Sequence, residues 1–146
     1  MPLTGEYAPS AWEPVAEQVR LFEQTDGAEG AEFMGGPCII LTTLGARSGK
    51  LRKTPLIRVE KDGTYVVIGS MGGAPADPQW THNLRAHPRA DLQDGPVVHE
   101  LVAREAHGEE KAMWWSIATQ VWPDYDTYQA ATERVIPLFV LEPQAG

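Results

Sequence analysis

Apolar residues in the chain recur with two different periods, and the change of period marks out the elements. Val15, Val19 and Phe22 follow the i, i+4, i+7 spacing of one helical face, and Ser10 is placed to cap that helix, which reads as an amphipathic helix laid on the body of the protein. A lid over a site is the sharper alternative for the same segment. From Pro37 the pattern shortens to β-type runs at 38–43, 53–59 and 64–68, divided by the Gly45 to Gly49 segment and by Lys61-Asp62-Gly63, a hairpin signal. Asp77-Pro78 predicts a helix start and His87-Pro88 its stop, with Trp80 and Leu84 on its apolar side. A second hairpin is predicted from 90–93 and 97–105 around Asp94-Gly95. Residues 107–121 are helical in composition, Pro123 breaks the run, 124–134 resumes as helix after an Asp cap, and a last strand covers 136–141. Helix, strands, helix, strands, helices, strand is an α+β plan of consecutive antiparallel strands, with too little βαβ alternation for a doubly wound sheet.

At 146 residues, 42% of them hydrophobic, one compact core is expected, so we take 1–146 as a single domain with an N-terminal helical segment at 1–36 and a strand-rich remainder with its packed helices at 37–143. A single Cys makes no internal disulfide, and the N-terminus has neither a basic start nor an apolar run, so a cytoplasmic protein without an integral membrane segment is expected. Four histidines lack zinc-ligand spacing, which leaves no metal site in prospect. Cys38 lies in an apolar run and reads as an inert core residue, and an esterase reading has no Gly-x-Ser-x-Gly elbow to anchor it.

Charge then redirects attention. The net formal charge is −8, yet no Asp or Glu falls between Phe33 and Val59, where Arg47, Lys50, Arg52, Lys53 and Arg58 supply five of the twelve basic residues. These flank Gly45-Ala46-Arg47-Ser48-Gly49, where glycines permit positive φ and successive backbone N–H groups can converge on an anion such as a phosphate. The alternative is a solvated turn with ordinary surface bases. The spacing is not that of a nucleotide P-loop, which needs four residues between its glycines and a Ser or Thr after the Lys. Gly69-Ser70-Met71-Gly72-Gly73, at the end of the 64–68 run, likewise lacks the dinucleotide fingerprint, but its small residues would let a flat ring approach the backbone. Near the C-terminus Trp114, Trp115, Trp122, Tyr125 and Tyr128 cluster. They pack a core or wall an apolar pocket in which a phenol meets substrate.

Four ordered stretches carry a resemblance: Leu41-Thr42-Thr43-Leu44-Gly45-Ala46-Arg47-Ser48-Gly49-Lys50-Leu51-Arg52-Lys53-Thr54-Pro55-Leu56, Gly69-Ser70-Met71-Gly72-Gly73, Pro78-Gln79-Trp80-Thr81-His82-Asn83-Leu84 and Trp122-Pro123-Asp124-Tyr125. Together, from about Pro37 to Pro143, the chain resembles the deazaflavin-dependent nitroreductase family. The resemblance implies a split β-barrel (FMN-binding split-barrel-like), with helices packed around it, that binds coenzyme F-420, an 8-hydroxy-5-deazaflavin with a phosphate and an oligoglutamate tail. It further implies that Arg47, Ser48, Gly49, Lys50 and Arg52 hold the phosphate and tail, that Pro55, Ile68, Gly69, Ser70 and Met71 line the ring, and that Gln79, Trp80 and Asn83 close the site.

Substrate would lie against the ring near Trp122, Tyr125 and Tyr128, with Tyr125 as proton donor or substrate orienter and Tyr128 beside it as a second catalytic candidate. The implied reaction is hydride transfer from reduced F-420 to an electron-poor acceptor, an activated alkene, quinone or nitroaromatic compound, with the cofactor recycled by a separate F-420-reducing dehydrogenase. Some relatives carry a base where Ala46 stands, a lysine at Met71 and a tyrosine at Trp122, differences that bear on substrate range. The competing expectations are an FMN-dependent split-barrel oxidoreductase and a non-catalytic carrier of the deazaflavin or a hydrophobic ligand. Nucleic-acid binding is disfavoured because the bases occupy one loop region of an acidic chain.

Overall fold

The computed structural model describes residues 3–33 and 36–143, with α1 at Glu13–Gln24, β1 at Glu32–Phe33, β2 at Gly36–Leu44, β3 at Leu51–Ile57, β4 at Glu60–Lys61, β5 at Thr64–Ile68, α2 at Gln79–Ala86, β6 at Arg89–Asp94, β7 at Val97–Glu105, α3 at Gly108–Val121, α4 at Asp124–Ala130 and β8 at Leu138–Pro143. The eight strands form one sheet in the order β1-β2-β6-β7-β8-β5-β4, with β3 on β2, and every pairing is antiparallel. The expected α+β plan holds. The termini of the expected 1–146 unit, and Met34 and Gly35, lie outside the described residues.

The way β3 and β4 divide one stretch of chain makes this a split barrel. Residues 51–57 pair with β2, after which the Val59 carbonyl accepts a hydrogen bond from the Val66 N–H at 3.0 Å and β4 pairs with β5. One run therefore belongs to one sheet edge at its start and to the opposite edge at its end. The ring is closed below and parted above, between β3 and the end of β5. The β4–β5 turn has Asp62 at φ 54° and Gly63 at φ 84°, the two left-handed residues that a tight hairpin needs.

Alternation along the strands fills three apolar layers. Ile39, Leu41, Tyr65, Val67, Leu92, Leu101, Phe139 and Leu141 point inside the barrel, and Trp80 and Leu84 of α2 plug its end. The opposite faces of β5 and β8, with Val66, Ile68, Leu138 and Val140, are buried under Trp114, Ala118 and Tyr125 of α3 and α4. Those two strands are covered on both sides, so they read as continuous apolar runs. Val19 and Phe22 of α1 lie on Cys38 and Ile40, the outward face of β2. The amphipathic helix expected from their spacing is thus present, each large side chain contributing on the order of 1.5–3 kcal/mol by burial.

Several boundaries differ from the sequence expectation for local reasons. The segment 1–36 is not helical throughout: its helix is Glu13–Gln24, β1 follows, and Tyr7 forms a parallel bridge to Leu51. There the Leu51 N–H donates to Glu6 O at 2.7 Å and the Ala8 N–H to Leu51 O at 2.9 Å, so residues 6–8 cover the free edge of β3 at Leu51. Neither Ser10 nor Asp77 caps a helix. Ser10 Oγ accepts from the Trp12 N–H, and Asp77 binds Arg85 and Arg134. Asp124 is inside the first turn of α4, where a carboxylate favours the helix dipole. The helix expected at 124–134 stops at Ala130, because Gln129 turns back on the chain beyond it: its Nε2 donates to Arg134 O at 2.8 Å and its Oε1 accepts from the Ile136 N–H at 3.0 Å.

Candidate active site

A cavity of about 550 Å³ opens in the split of the barrel. The β3 side contributes Arg52, Lys53, Thr54, Pro55, Leu56 and Ile57, and the β5 side Ile68, Ser70, Met71 and Gly72. Gln79, Trp80 and Asn83 of α2 form one end, Trp122, Tyr125 and Tyr128 the aromatic wall, and Ser10 and Val15 of the N-terminal segment the rim. A second cavity of about 630 Å³, lined by Gly45, Ala46, Arg47, Ser48, Arg52, Gln79, His82 and Asn83, adjoins the first through their shared residues Arg52, Gln79 and Asn83. Apolar chamber and basic loop, far apart in sequence, are the two ends of one groove.

The loop end gathers donors of the kind an anion needs. Gly45 N–H donates to Lys50 O at 2.8 Å, Gly49 N–H donates to Gly45 O at 3.0 Å with Gly49 left-handed at φ 69°, and Lys50 N–H donates to Ser48 Oγ at 3.1 Å. The Ala46 N–H is taken by Asn83 Oδ1 at 2.9 Å, which leaves the Arg47 and Ser48 amides without a protein acceptor among the described residues. Arg20, Arg58, Arg85, Arg104 and Arg134 each bind a carboxylate; Arg47 and Arg52 bind none among the described residues. In a chain of charge −8 this leaves two guanidinium groups and two successive amides available to one ligand.

The glycine end is shaped by close approach. A Cβ on Gly69 would meet Thr81 Cγ2 at 2.8 Å and Pro137 Cγ at 2.9 Å, and one on Gly73 would meet Tyr128 O at 2.9 Å. Gly73 therefore lets the loop lie directly on α4, beside the two tyrosines. The turn is left-handed through Met71 (φ 45°), Gly72 (φ 65°) and Gly73 (φ 83°), and the amides of Ser70, Met71 and Gly72 have no protein acceptor among the described residues.

The aromatic wall is an interlocked cluster. Tyr125 and Tyr128 meet edge to face at 6.3 Å, Trp115 stands 6.0 Å from Tyr125, and Trp122 Nε1 donates to the Tyr128 hydroxyl at 3.3 Å. Tyr125 is 5% exposed, and its hydroxyl makes no hydrogen bond among the described residues. Burial, reinforced by neighbouring Tyr128, pushes its pKa well above that of a free phenol. It stays protonated and is a donor of hydrogen bonds more than of protons.

Of the site residues expected from the sequence, Arg47, Ser48, Arg52, Pro55, Ile68, Ser70, Met71, Gln79, Trp80, Asn83, Trp122, Tyr125 and Tyr128 line the groove. Gly49, Lys50 and Gly69 do not. Gly49 supplies the turn, Lys50 pairs with Glu6 at 3.2 Å, and Gly69 is packed between α2 and Pro137. Asn83 is 1% exposed and committed to protein partners, donating to Thr43 Oγ1 at 3.1 Å as it accepts from Ala46, so it fastens the basic loop to α2. Trp80 is largely core, 6.0 Å from Phe139 in an edge contact. Sequence reasoning missed Thr54, Leu56 and His82, which the folding of β3 and α2 brings in, and Arg134, which holds the glycine loop from outside the cavity. Cys38 is buried with its thiol pushed up to about 11 by desolvation, as an inert residue should be.

Residues 15–143 match the family described as F420H(2)-dependent quinone reductase. An F420H(2)-dependent quinone reductase of Mycobacterium tuberculosis is 32% identical over 125 residues, covering 83% of this chain and 84% of the relative. Among solved structures, one described as F420-H2 dependent reductase (FDR-A) is 45% identical with a TM-score of 0.69, covering 73% of this chain and 94% of its own, and one described as a domain-swapped dimer is 42% identical with a TM-score of 0.72, covering 91% and 100%. With more than four-fifths of its length matched and the groove in the split of its barrel, the chain belongs to the F420H(2)-dependent quinone reductase family.

Proposed function

We propose that the groove holds reduced coenzyme F-420 with its anionic tail at the Arg47 loop and its ring in the split of the barrel, and presents it to a quinone-type acceptor at the aromatic wall. As a member of its family the protein is an F-420-dependent oxidoreductase. The observation that carries the residue assignment is the junction of the cavities: Arg47 and Arg52, which have no carboxylate partner among the described residues, adjoin an apolar chamber sized for a flat ring. F-420 is matched at both ends, by cations and free amides for its tail and by Pro55, Ile68 and the 69–73 backbone for its ring.

When bound, reduced F-420 supplies a hydride, a two-electron donor that reacts poorly with oxygen. The chain's residues do the rest. Arg47, Arg52 and the Arg47 and Ser48 amides anchor the tail, and with the tail fixed the ring is confined between β3 and the glycine turn. Trp122, Tyr125 and Tyr128 exclude water from the acceptor side. The Tyr125 hydroxyl, which has no protein partner among the described residues, donates a hydrogen bond to the acceptor oxygen, stabilising the charge that develops as the acceptor is reduced. Its raised pKa favours this orienting role over full proton delivery, and the reduced acceptor takes its proton from bulk solvent as it leaves the site. Activated alkenes and nitroaromatic compounds meet the same requirement for an electron-poor centre. Each turnover consumes one reduced cofactor, so a separate F-420-reducing dehydrogenase is required. No described helix is long and apolar enough to cross a membrane, and we place the reaction in the cytoplasm, where the free thiol stays reduced.

The test is a titration of wild type, Arg47→Ala and Arg52→Ala with oxidised F-420 and with FMN, followed by turnover with menadione. Arg52 borders both cavities, so Arg52→Ala weakens F-420 binding by about tenfold or more and Arg47→Ala by somewhat less, with a shallower salt dependence in both. Unchanged affinity in both variants, or preference for FMN, overturns the assignment.

A further inference from the structure

Residues 70–77 form a loop whose shape needs an external support. Ser70, Met71 and Gly72 line the cavity, yet the loop's own backbone bonds are only two turns, from Gly73 N–H to Ser70 O at 2.8 Å and from Ala74 N–H to Met71 O at 3.1 Å. Met71 is left-handed, a conformation costly for a residue with a side chain. The support comes from Arg134, between α4 and β8. Its Nε donates to Ala74 O, its Nη2 to Ser70 O and its Nη1 to Asp77 Oδ1, all at 2.7 Å, with the side chain 14% exposed. Asp77 also accepts from Arg85 at 3.2 Å, and Arg85 binds Glu105 at 3.0 Å. The loop is thereby tied to the barrel wall through β7.

We infer that Arg134 is a positioning residue for the cofactor ring: by fixing the Ser70 carbonyl it presets the Met71 amide as a hydrogen-bond donor toward the deazaflavin, while its bond to the Ala74 carbonyl holds the far end of the turn. Planarity supplies the link. The Ser70 carbonyl and the Met71 N–H belong to one trans peptide and point in opposite directions, so a carbonyl held on the Arg134 side leaves that N–H facing away from it. Ser70 O is saturated, accepting from both Arg134 and Gly73, so this plane has little freedom to rotate. Three donors in one rigid fork serve three acceptors, which a lysine cannot reproduce. Arg134 is not among the cavity-lining residues and acts through the loop. The inference rests on the placement of the ring beside the glycine turn.

Arg134→Gln and Arg134→Lys are compared with wild type and with Leu101→Ala, a core truncation outside the cavity that controls for general destabilisation. Hydrogen exchange of the cofactor-free protein is expected to accelerate at the Gly73 and Ala74 amides, which carry the loop's own hydrogen bonds, and to remain unchanged in the barrel strands. The Kd for oxidised F-420, measured by absorbance titration, rises about tenfold in Arg134→Gln and less in Arg134→Lys, which keeps the charge beside Asp77, while the salt dependence of binding is unchanged. Should Arg134→Gln fail to fold, Arg134→Lys carries the same comparison. A Kd within about twofold of wild type despite faster loop exchange, or a loss no greater than in Leu101→Ala, overturns the inference. Wild-type protein that does not bind F-420 instead overturns the proposed function, a separate result that the exchange of the cofactor-free loop does not depend on.

Discussion

Tyr125, proposed to orient the acceptor, is almost fully buried and edge-on to Tyr128, and no described protein group engages its hydroxyl. Tyr125→Phe removes that donor and leaves the loop end of the groove intact. The expected outcome is a fall in kcat/KM for menadione reduction of about tenfold, with F-420 affinity within about twofold of wild type. Because burial raises the phenol's pKa, it remains protonated across neutral and mildly alkaline pH. The rate should therefore show no phenol titration below about pH 10, and a decline between pH 7 and 9 that disappears in Tyr125→Phe would contradict the assignment. At this scale the sequence made the bases, glycines and tyrosines conspicuous by type and spacing. It could not show that Asn83 is spent on Ala46 and Thr43, or that Arg134 reaches back to Ser70, because partners separated by 40 and 64 positions are chosen by the fold.

Among the elements, the turn after β5 is where a single Cβ matters most. Gly73 is left-handed and leans on the backbone of α4, whereas Gly72, also left-handed, has nothing within 4 Å of its would-be side chain. Gly73→Ala should cost about 2 kcal/mol or more, from backbone strain plus displacement of the Tyr128 helix, and lower Tm by about 5 °C or more. Gly72→Ala should cost about 1 kcal/mol, from strain alone. Equal Tm values in thermal unfolding would show that the contact with α4 is unimportant. Element types and the Asp62-Gly63 hairpin were legible because periodicity and turn chemistry are local. The end of α4 was not, since Gln129 stops it by bonding to residues that enter the next strand.

Across the whole molecule, the phenols of Tyr7, Tyr65 and Tyr125 occupy separate regions, and all have raised pKa values, chiefly through desolvation. Tyr65 is pushed up to about 12, with its hydroxyl donating to Asp94 at 2.6 Å and Arg58 opposing the shift. A raised phenol pKa means that the folded protein retains protons the unfolded chain releases. The associated stability is complete below about pH 10 and is lost as pH climbs toward 12. Thermal unfolding should show Tm falling steeply above about pH 10, with a shallower fall in Tyr65→Phe; parallel curves for the two proteins would refute the linkage.

The sequence by itself determined the strand and helix alternation, the antiparallel plan, the isolated basic stretch in an acidic chain and the motifs that identify the cofactor class. The first three follow from side-chain period, backbone permissiveness and charge, all written locally, and the cofactor class follows from the motifs' resemblance to a known family. Tertiary structure alone decided that β3 and β5 part above Val59, that the cavity of the basic loop and the aromatic-walled cavity share Arg52, Gln79 and Asn83, and that residues 6–8 cover the edge of β3. The physical reason is that a groove is made of surfaces facing each other across the chain, and which surfaces face each other is settled only when the sheet curls and its apolar faces are covered.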